Sequence, residues 1–247
     1  MSLLSVKQLS GGYTRKPVIH DIDFDVNQGE LVALIGLNGA GKSTTIKHII
    51  GLLEQQKGTI TLDGITINQD TEAYRKKLSY IPETPVLYEE LTLEEHFALT
   101  SMMYGIDEKK ANKRKEALLK EFRMEKRLGW FPAHFSKGMK QKVMIMCAFL
   151  VEPKLYIIDE PFVGLDPIAI QSLLNLLQKE KEKGAGILMS THILATAERY
   201  CDRFIIIHNG KIIAKGTLTE LREFCGMPHA NLDDMYLHLT KGQDRDE

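Results

Sequence analysis

The run Gly36-Leu37-Asn38-Gly39-Ala40-Gly41-Lys42-Ser43-Thr44 follows directly on the stretch Glu30-Leu31-Val32-Ala33-Leu34-Ile35. That order is a buried strand, then G-x-x-x-x-G-K-[ST], then a helix, the grammar of a phosphate-cradling P-loop. Glycines let successive backbone N–H groups turn inward around an anion without side-chain clashes. Ile46, Ile49, Ile50 and Leu53 share one face of the helix expected next, and its positive dipole end points at the same anion. Lys42 then reaches the outer phosphates and the Ser43 hydroxyl completes the shell of a magnesium ion. By itself the run specifies a nucleotide and leaves open what the nucleotide is for.

The rest of the composition narrows the class. With 247 residues the chain is one large α/β domain or two small ones. A net charge of −1 gives no reason to expect a nucleic-acid partner. Apolar stretches such as Val143 to Val151 are too short to cross a bilayer, and Lys7 lies inside a strand-like alternation unlike a signal peptide. Cys147, Cys201 and Cys225 are odd in number and lack CxxC spacing, which suits reduced thiols and a cytoplasmic chain. His48, His96, His134, His208 and His238 share no metal-ligand spacing. Trp130 and Phe131 read as packing residues, and the basic run from Lys109 to Lys115 as a solvated helix face.

Two kinds of strand alternate with helices. Ile22, Phe24 and Val26 point one way and Asp21, Asp23 and Asp25 the other, a half-solvated antiparallel strand that pairs with Leu4 to Leu9. Leu31 to Ile35, Leu155 to Ile158, Ile187 to Met189 and Phe204 to Ile207 are nearly continuous apolar runs, as in parallel sheets covered on both faces. Between them Thr92 to Tyr104, Glu108 to Phe122 and Ser136 to Leu150 carry helical spacing, a helical insertion in an α/β core. A short strand from Lys211 to Lys215 precedes helical stretches at Thr217 to Phe224 and near Asn231 to Leu239, and the last six polar residues are expected to fray.

Leu155-Tyr156-Ile157-Ile158 ends in Asp159-Glu160, and ligands in such sheets lie outside the carboxyl ends of the strands. Asp159 is therefore expected to hold Mg²⁺, usually through water, and Glu160 to polarise the water that attacks the γ-phosphate. Upstream, Ser136 in Phe135-Ser136-Lys137-Gly138-Met139-Lys140-Gln141 is a natural helix N-cap, and Gly138 leaves N–H groups accessible there.

Taken in order, Tyr13, the P-loop, Glu83, Ser136 to Gln141, Tyr156 to Glu160, Gly164-Leu165-Asp166 and His192 make the chain resemble the ATP-binding subunits of ABC transporters over nearly its whole length. The resemblance implies an α/β fold: a RecA-like P-loop NTPase core, an N-terminal antiparallel β layer and an inserted helical subdomain. It implies one ATPase domain over 1–247, with 1–82 and 153–220 as nucleotide-binding core, 83–152 as helical subdomain and 221–247 as helical tail. It further implies ATP and Mg²⁺ as cofactors, and a second copy of the chain that sandwiches two nucleotides. Tyr13 would stack on adenine, Glu83 would join Ser43 and Asp159 near the metal, and His192 would contact the γ-phosphate. Ser136 and Gly138 would contact the γ-phosphate across the dimer, and Asp166 would link the two sites. Lys137 and Met139 stand where the family signature has its first glycine and its glutamine, and Glu83 replaces a glutamine. Both changes resemble the subgroup serving exporter-type, ABC-2-like permeases.

The expected function is ATP hydrolysis that powers transport, outward as in that subgroup, through a separate transmembrane permease that holds the subunit on the inner face of the membrane. A second reading is an ABC-type ATPase that regulates a non-transport membrane or assembly machine. Leu87, Tyr88, Leu91, Phe97, Leu99, Met102, Met103 and Tyr104 are expected to form an exposed apolar groove for a partner helix.

Overall fold

The computed structural model describes residues 2–243 of the chain. Its elements run β1 (Ser2–Gly11), β2 (Ile19–Asn27), β3 (Leu31–Ile35), α1 (Lys42–Ile49), β4 (Lys57–Leu62), α2 (Thr71–Lys76) and β5 (Leu78–Ile81). There follow α3 (Leu93–Tyr104), α4 (Glu108–Phe122), α5 (Lys137–Val151), β6 (Leu155–Asp159), α6 (Pro167–Glu182), β7 (Gly186–Thr191) and α7 (Leu194–Tyr200). The chain finishes with β8 (Arg203–His208), β9 (Lys211–Gly216), α8 (Leu218–Cys225) and α9 (Leu232–Gln243). Of the six terminal residues expected to fray, 244–247 lie outside the described residues, while α9 continues to Gln243.

Strand pairing follows the two patterns. β2, β1 and β4 form an antiparallel sheet, with Leu4 opposite Val26, Val6 opposite Phe24 and Leu9 opposite Ile22. Ile22, Phe24 and Val26 are buried, and the aspartates between them face outward, as the alternation predicts. The second sheet has the order β5-β6-β7-β3-β8-β9, parallel except for β9 at its edge. Every residue of β3, β6 and β7 is buried, because both faces are covered.

Side chains alternate across a strand, so each central strand feeds a core on either side. Val32, Leu34, Leu155, Ile157, Leu188, Ile205 and Ile207 pack under the antiparallel layer with Ile46 and Ile49 of α1. Tyr156, Ile158, Ile187 and Met189 face the other way, toward Phe97, Leu118, Phe122, Val143 and Leu173 from the helical insertion and α6. That core is continuous from sheet to insertion. Ala33, Ile35, Phe204 and Ile206 meet Leu221, Leu232, Met235 and Tyr236 of the last helices. α1 ends at Ile49, so Leu53, assigned to its apolar face by spacing, lies beyond the helix. Among the described residues no helix is long and apolar enough to cross a membrane.

The expected apolar groove is only partly realised. Phe97 is buried in the core, Leu87 packs on that core, and the Tyr104 hydroxyl donates to the Leu78 carbonyl at 3.2 Å. Tyr88, Met102 and Met103 do stand exposed, as does Val86. Helical packing used the a/d-like positions of α3 for its own core, which sequence order alone does not reveal. A separate cleft of about 400 Å³ opens where Leu52, Leu78, Tyr80, Thr100, Tyr104 and Cys147 meet.

Candidate active site

Helix starts distinguish the P-loop from most of the molecule. α2, α3, α4, α5, α6 and α8 each receive a side-chain cap, from Asp70, Thr92, Asp107, Ser136, Asp166 and Thr217. α1 has none: its N-cap is Gly41, and no acidic residue stands in its first turn. The first N–H groups of α1 thus have no side-chain acceptor and keep their positive potential for an external anion. Gly41 is required there twice over. Its φ is +113°, and a Cβ would meet Ile19 Cγ2 at 2.8 Å.

A pocket of about 450 Å³ opens over this helix start, lined by Tyr13, Val18, Leu37, Asn38, Gly39, Gly41, Lys42, Ser43, Thr44, Glu83 and Glu160. Lys42 is almost wholly buried; its Nζ donates to the carbonyls of Gly36 at 2.8 Å and Leu37 at 3.3 Å. It also lies 3.3 Å from Glu160 Oε1, an ion pair without hydrogen-bond geometry. Tyr13 stands at the mouth, with Lys47 Nζ 3.1 Å from its hydroxyl and 5.0 Å from its ring centroid. Burial raises the Tyr13 phenol, but hydrogen bonds to Lys47 and Thr44 bring it below its ordinary value overall. Burial raises neighbouring Tyr80 well above the ordinary phenol range, with Asp159 and Glu83 adding to the effect.

The carboxylates at the end of β6 are held by β7. Ser190 Oγ donates to Asp159 Oδ1 at 2.5 Å and accepts the N–H of Glu160 at 3.0 Å. Glu160 adopts φ +48°, a left-handed conformation costly for a residue with a side chain. There its Oε2 accepts from the His192 N–H at 3.3 Å and meets His192 Nδ1 at 2.8 Å. With the Nδ1 proton facing the carboxylate, His192 fixes the orientation of Glu160 and leaves Nε2 for other contacts.

The arrangement suits a nucleotide polyphosphate: uncapped N–H groups, a buried ammonium and two buried carboxylates on one rim. No cluster of three or more His, Cys, Asp or Glu among the described residues could hold a metal by itself. The donor set that Ser43, Asp159 and Glu83 offer is all oxygen and incomplete, which suits Mg²⁺ completed by phosphate oxygens and water.

Sequence-expected residues divide into two groups. Asn38, Gly39, Gly41, Lys42, Ser43 and Thr44 of the P-loop line one pocket with Tyr13, Glu83 and Glu160. Asp159 and His192 are bound to its edge, and Gly36 stays outside the lining with its carbonyl on Lys42 Nζ. Ser136, Gly138 and Asp166 do not line it. Ser136 caps α5 by accepting Met139 N–H at 3.3 Å. At Gly138 a Cβ would strike the Gly164 carbonyl at 2.5 Å, so that glycine admits close approach of the loop before α6. Asp166 accepts from Lys142 Nζ and from Ala169 N–H, both at 2.8 Å, and these bonds hold its carboxyl below the usual range. Two contributors have no sequence motif of their own: Val18 in the pocket wall and Tyr236, which reaches the P-loop backbone. Ser190, two residues before His192, could have been suspected from its place at a strand end beside the carboxylates.

Comparisons with known proteins agree with this geometry. The sequence profile of a family described as ABC transporter matches residues 19–163. The ABC-type transporter ATP-binding protein EcsA of Bacillus subtilis (strain 168) is 67% identical over 241 residues, 98% of each chain. An uncharacterised ABC transporter ATP-binding protein, YthP, from the same organism is 45% identical over 98% of both chains. A solved structure of an ATP-binding subunit of an ABC transporter superposes with a TM-score of 0.95 at 63% identity, covering 97% of this chain and all of the other. With the phosphate cradle, the paired carboxylates and these full-length likenesses in agreement, the chain belongs to the ABC transporter family as one of its ATP-binding subunits, an ATPase.

Proposed function

We propose that this ATPase works as a pair of copies that powers transport, outward in direction, through a separate membrane permease and with Mg²⁺ at each nucleotide. The observation that carries the reading is the division of the site. Ser136 and Gly138 do not line the P-loop pocket of their own chain, which supports a second phosphate-binding element supplied by another copy. In this scheme Tyr13 packs on adenine, the N–H groups of the P-loop with Asn38 and Gly39 cradle the phosphates, and Lys42 turns from Glu160 toward the outer phosphates. Ser43 and Asp159 hold the metal, with Glu83 beside them. Mg²⁺ bound there neutralises charge on the phosphate oxygens. Glu160 accepts a proton from the attacking water while His192 holds its carboxylate in place. Asp166, at the start of α6, meets the partner copy.

The outward direction is supported by Glu83 and by the Lys137 and Met139 changes, which resemble the exporter-serving subgroup. Attachment to a permease places the subunit on the inner face of the membrane. The exposed Tyr88, Met102 and Met103 offer adaptable apolar surface for that partner.

Complementation tests the shared site. Lys42→Ala and Ser136→Arg chains are each expected to be inactive alone. In a mixed dimer one site carries both changes and the other carries neither. Mixing equal amounts should therefore restore ATP hydrolysis to roughly a quarter of the wild-type rate if copies pair at random. No recovery in a mixture shown by mass to contain mixed dimers would overturn the shared site.

A further inference from the structure

The last helix of the chain reaches the nucleotide loop. α9 is firmly seated, since Leu232, Met235 and Tyr236 are buried against Ala33, Ile35 and Phe204 of the parallel sheet. Leu232 N–H donates to Glu198 Oε2 on α7 at 2.7 Å. Glu198 in turn lies 3.7 Å from the guanidinium of Arg222, whose Nε donates to the Ala230 carbonyl at 2.8 Å. From this seated helix the Tyr236 hydroxyl accepts the N–H of Leu37 at 3.2 Å. Leu37 is the residue after Gly36, and its carbonyl receives Lys42 Nζ at 3.3 Å. A chain of contacts thus runs from the C-terminal helix through the backbone of one P-loop residue, Leu37, to the buried ammonium. α9 also faces the His192 segment: Leu37, His192, Asp233, Tyr236 and Leu237 border one cleft of about 250 Å³.

We infer that Tyr236 is a positioning residue for the nucleotide reaction, fixing the Leu37 peptide so that the P-loop is preset for phosphate. The inference rests on the P-loop being the nucleotide cradle of this chain. A loop whose N–H groups must converge on an anion loses conformational freedom when the anion binds, and each contact that orders it beforehand lowers that cost. The bond is remote from the transferred phosphate, and it acts equally on the bound substrate and on its transition state. Its loss therefore raises KM and leaves kcat alone. One hydrogen bond of ordinary worth corresponds to an affinity change of about three- to tenfold.

The test uses the full-length chain with Tyr236→Phe, which keeps the buried ring and removes the acceptor. Equilibrium binding of MgATP is expected to weaken about three- to tenfold, with KM following and kcat unchanged. The urea midpoint without nucleotide should fall only slightly, by the worth of one hydrogen bond, because the ring that packs α9 is kept. Hydrogen exchange should quicken in a peptide spanning residues 36–41 and not in α9. Leu37→Pro removes the donor, and on that background Tyr236→Phe should add no further loss of affinity. Wild-type MgATP affinity in Tyr236→Phe would overturn the inference, and so would an undiminished further loss on the Leu37→Pro background. Should Leu37→Pro fail to fold, the exchange measurement decides: unchanged exchange over residues 36–41 overturns the assignment. Failure of the wild-type chain to bind MgATP would be a different result, removing the nucleotide reading and this inference with it.

Discussion

The rim of the P-loop pocket and the two ends of α3 break the usual partition of residues in opposite directions. At the first, Lys42, Asp159 and Glu160 are each no more than 6% exposed. At the second, Tyr88, Met102 and Met103 are each at least 60% exposed. Burying charge costs several kcal/mol per ion unless partners replace the lost water, so the first region survives only as a closed set of contacts. Lys42, Glu160, His192, Ser190 and Asp159 supply those contacts to one another. Exposed apolar side chains cost the folded subunit little, and they gain energy only when something covers them. The first region is legible in the subunit alone. The second acquires meaning only against a partner.

The largest expected effect falls on the first region. Glu160→Gln keeps the size and loses the base, so hydrolysis should drop by about 10²- to 10⁴-fold while MgATP still binds. A normal hydrolysis rate in the permease-bearing assembly would remove Glu160 from the role of base. Lys42→Ala comes next, since it deletes the phosphate's charge partner and leaves Glu160 without its buried cation. MgATP affinity measured by calorimetry should fall by about 10- to 100-fold, the worth of a charge-assisted contact. Equal affinity would show that the uncapped start of α1 suffices for phosphate binding. The smallest effect concerns the second region and sharpens the contrast. The double change Tyr88→Ser and Met102→Ser should move the unfolding free energy by no more than about 0.5 kcal/mol. The same variant should show reduced recovery with membranes that contain the permease. A larger destabilisation in urea would assign these side chains to the subunit's own core.

Local pattern carried much of this molecule. Asp21, Asp23 and Asp25 betray the half-solvated β2 because a period of two has a single structural meaning. The unbroken apolar runs of β3, β6 and β7 announce a doubly covered sheet for the same reason. Other elements carry weak signals. β4 alternates only over Thr59 to Leu62 and β5 has four residues, so neither carries a periodicity long enough to stand alone, and pairing with β1 and β6 makes them strands. The apolar residues of α3 were legible as apolar, but which of them face inward depends on how α4 and α5 pack around it. Hence Phe97 is core and Met102 is surface.

The sequence by itself determined the phosphate cradle, the paired carboxylates and the family, because each is a short-range pattern whose chemistry depends on neighbours in the chain. Glycines fix where the loop bends, and a strand ending in Asp159-Glu160 fixes where two carboxylates emerge. Only the tertiary structure decided what holds those groups in place. Ser190 lies 30 residues from Glu160, and Tyr236 lies 199 residues from Leu37. Contacts of that separation come from strand order and helix seating, and a hydrogen bond between distant residues leaves no periodicity in either segment. The left-handed residue Glu160 is anchored by contacts of the same class, since the Ser190 carbonyl and hydroxyl of β7 both accept its N–H.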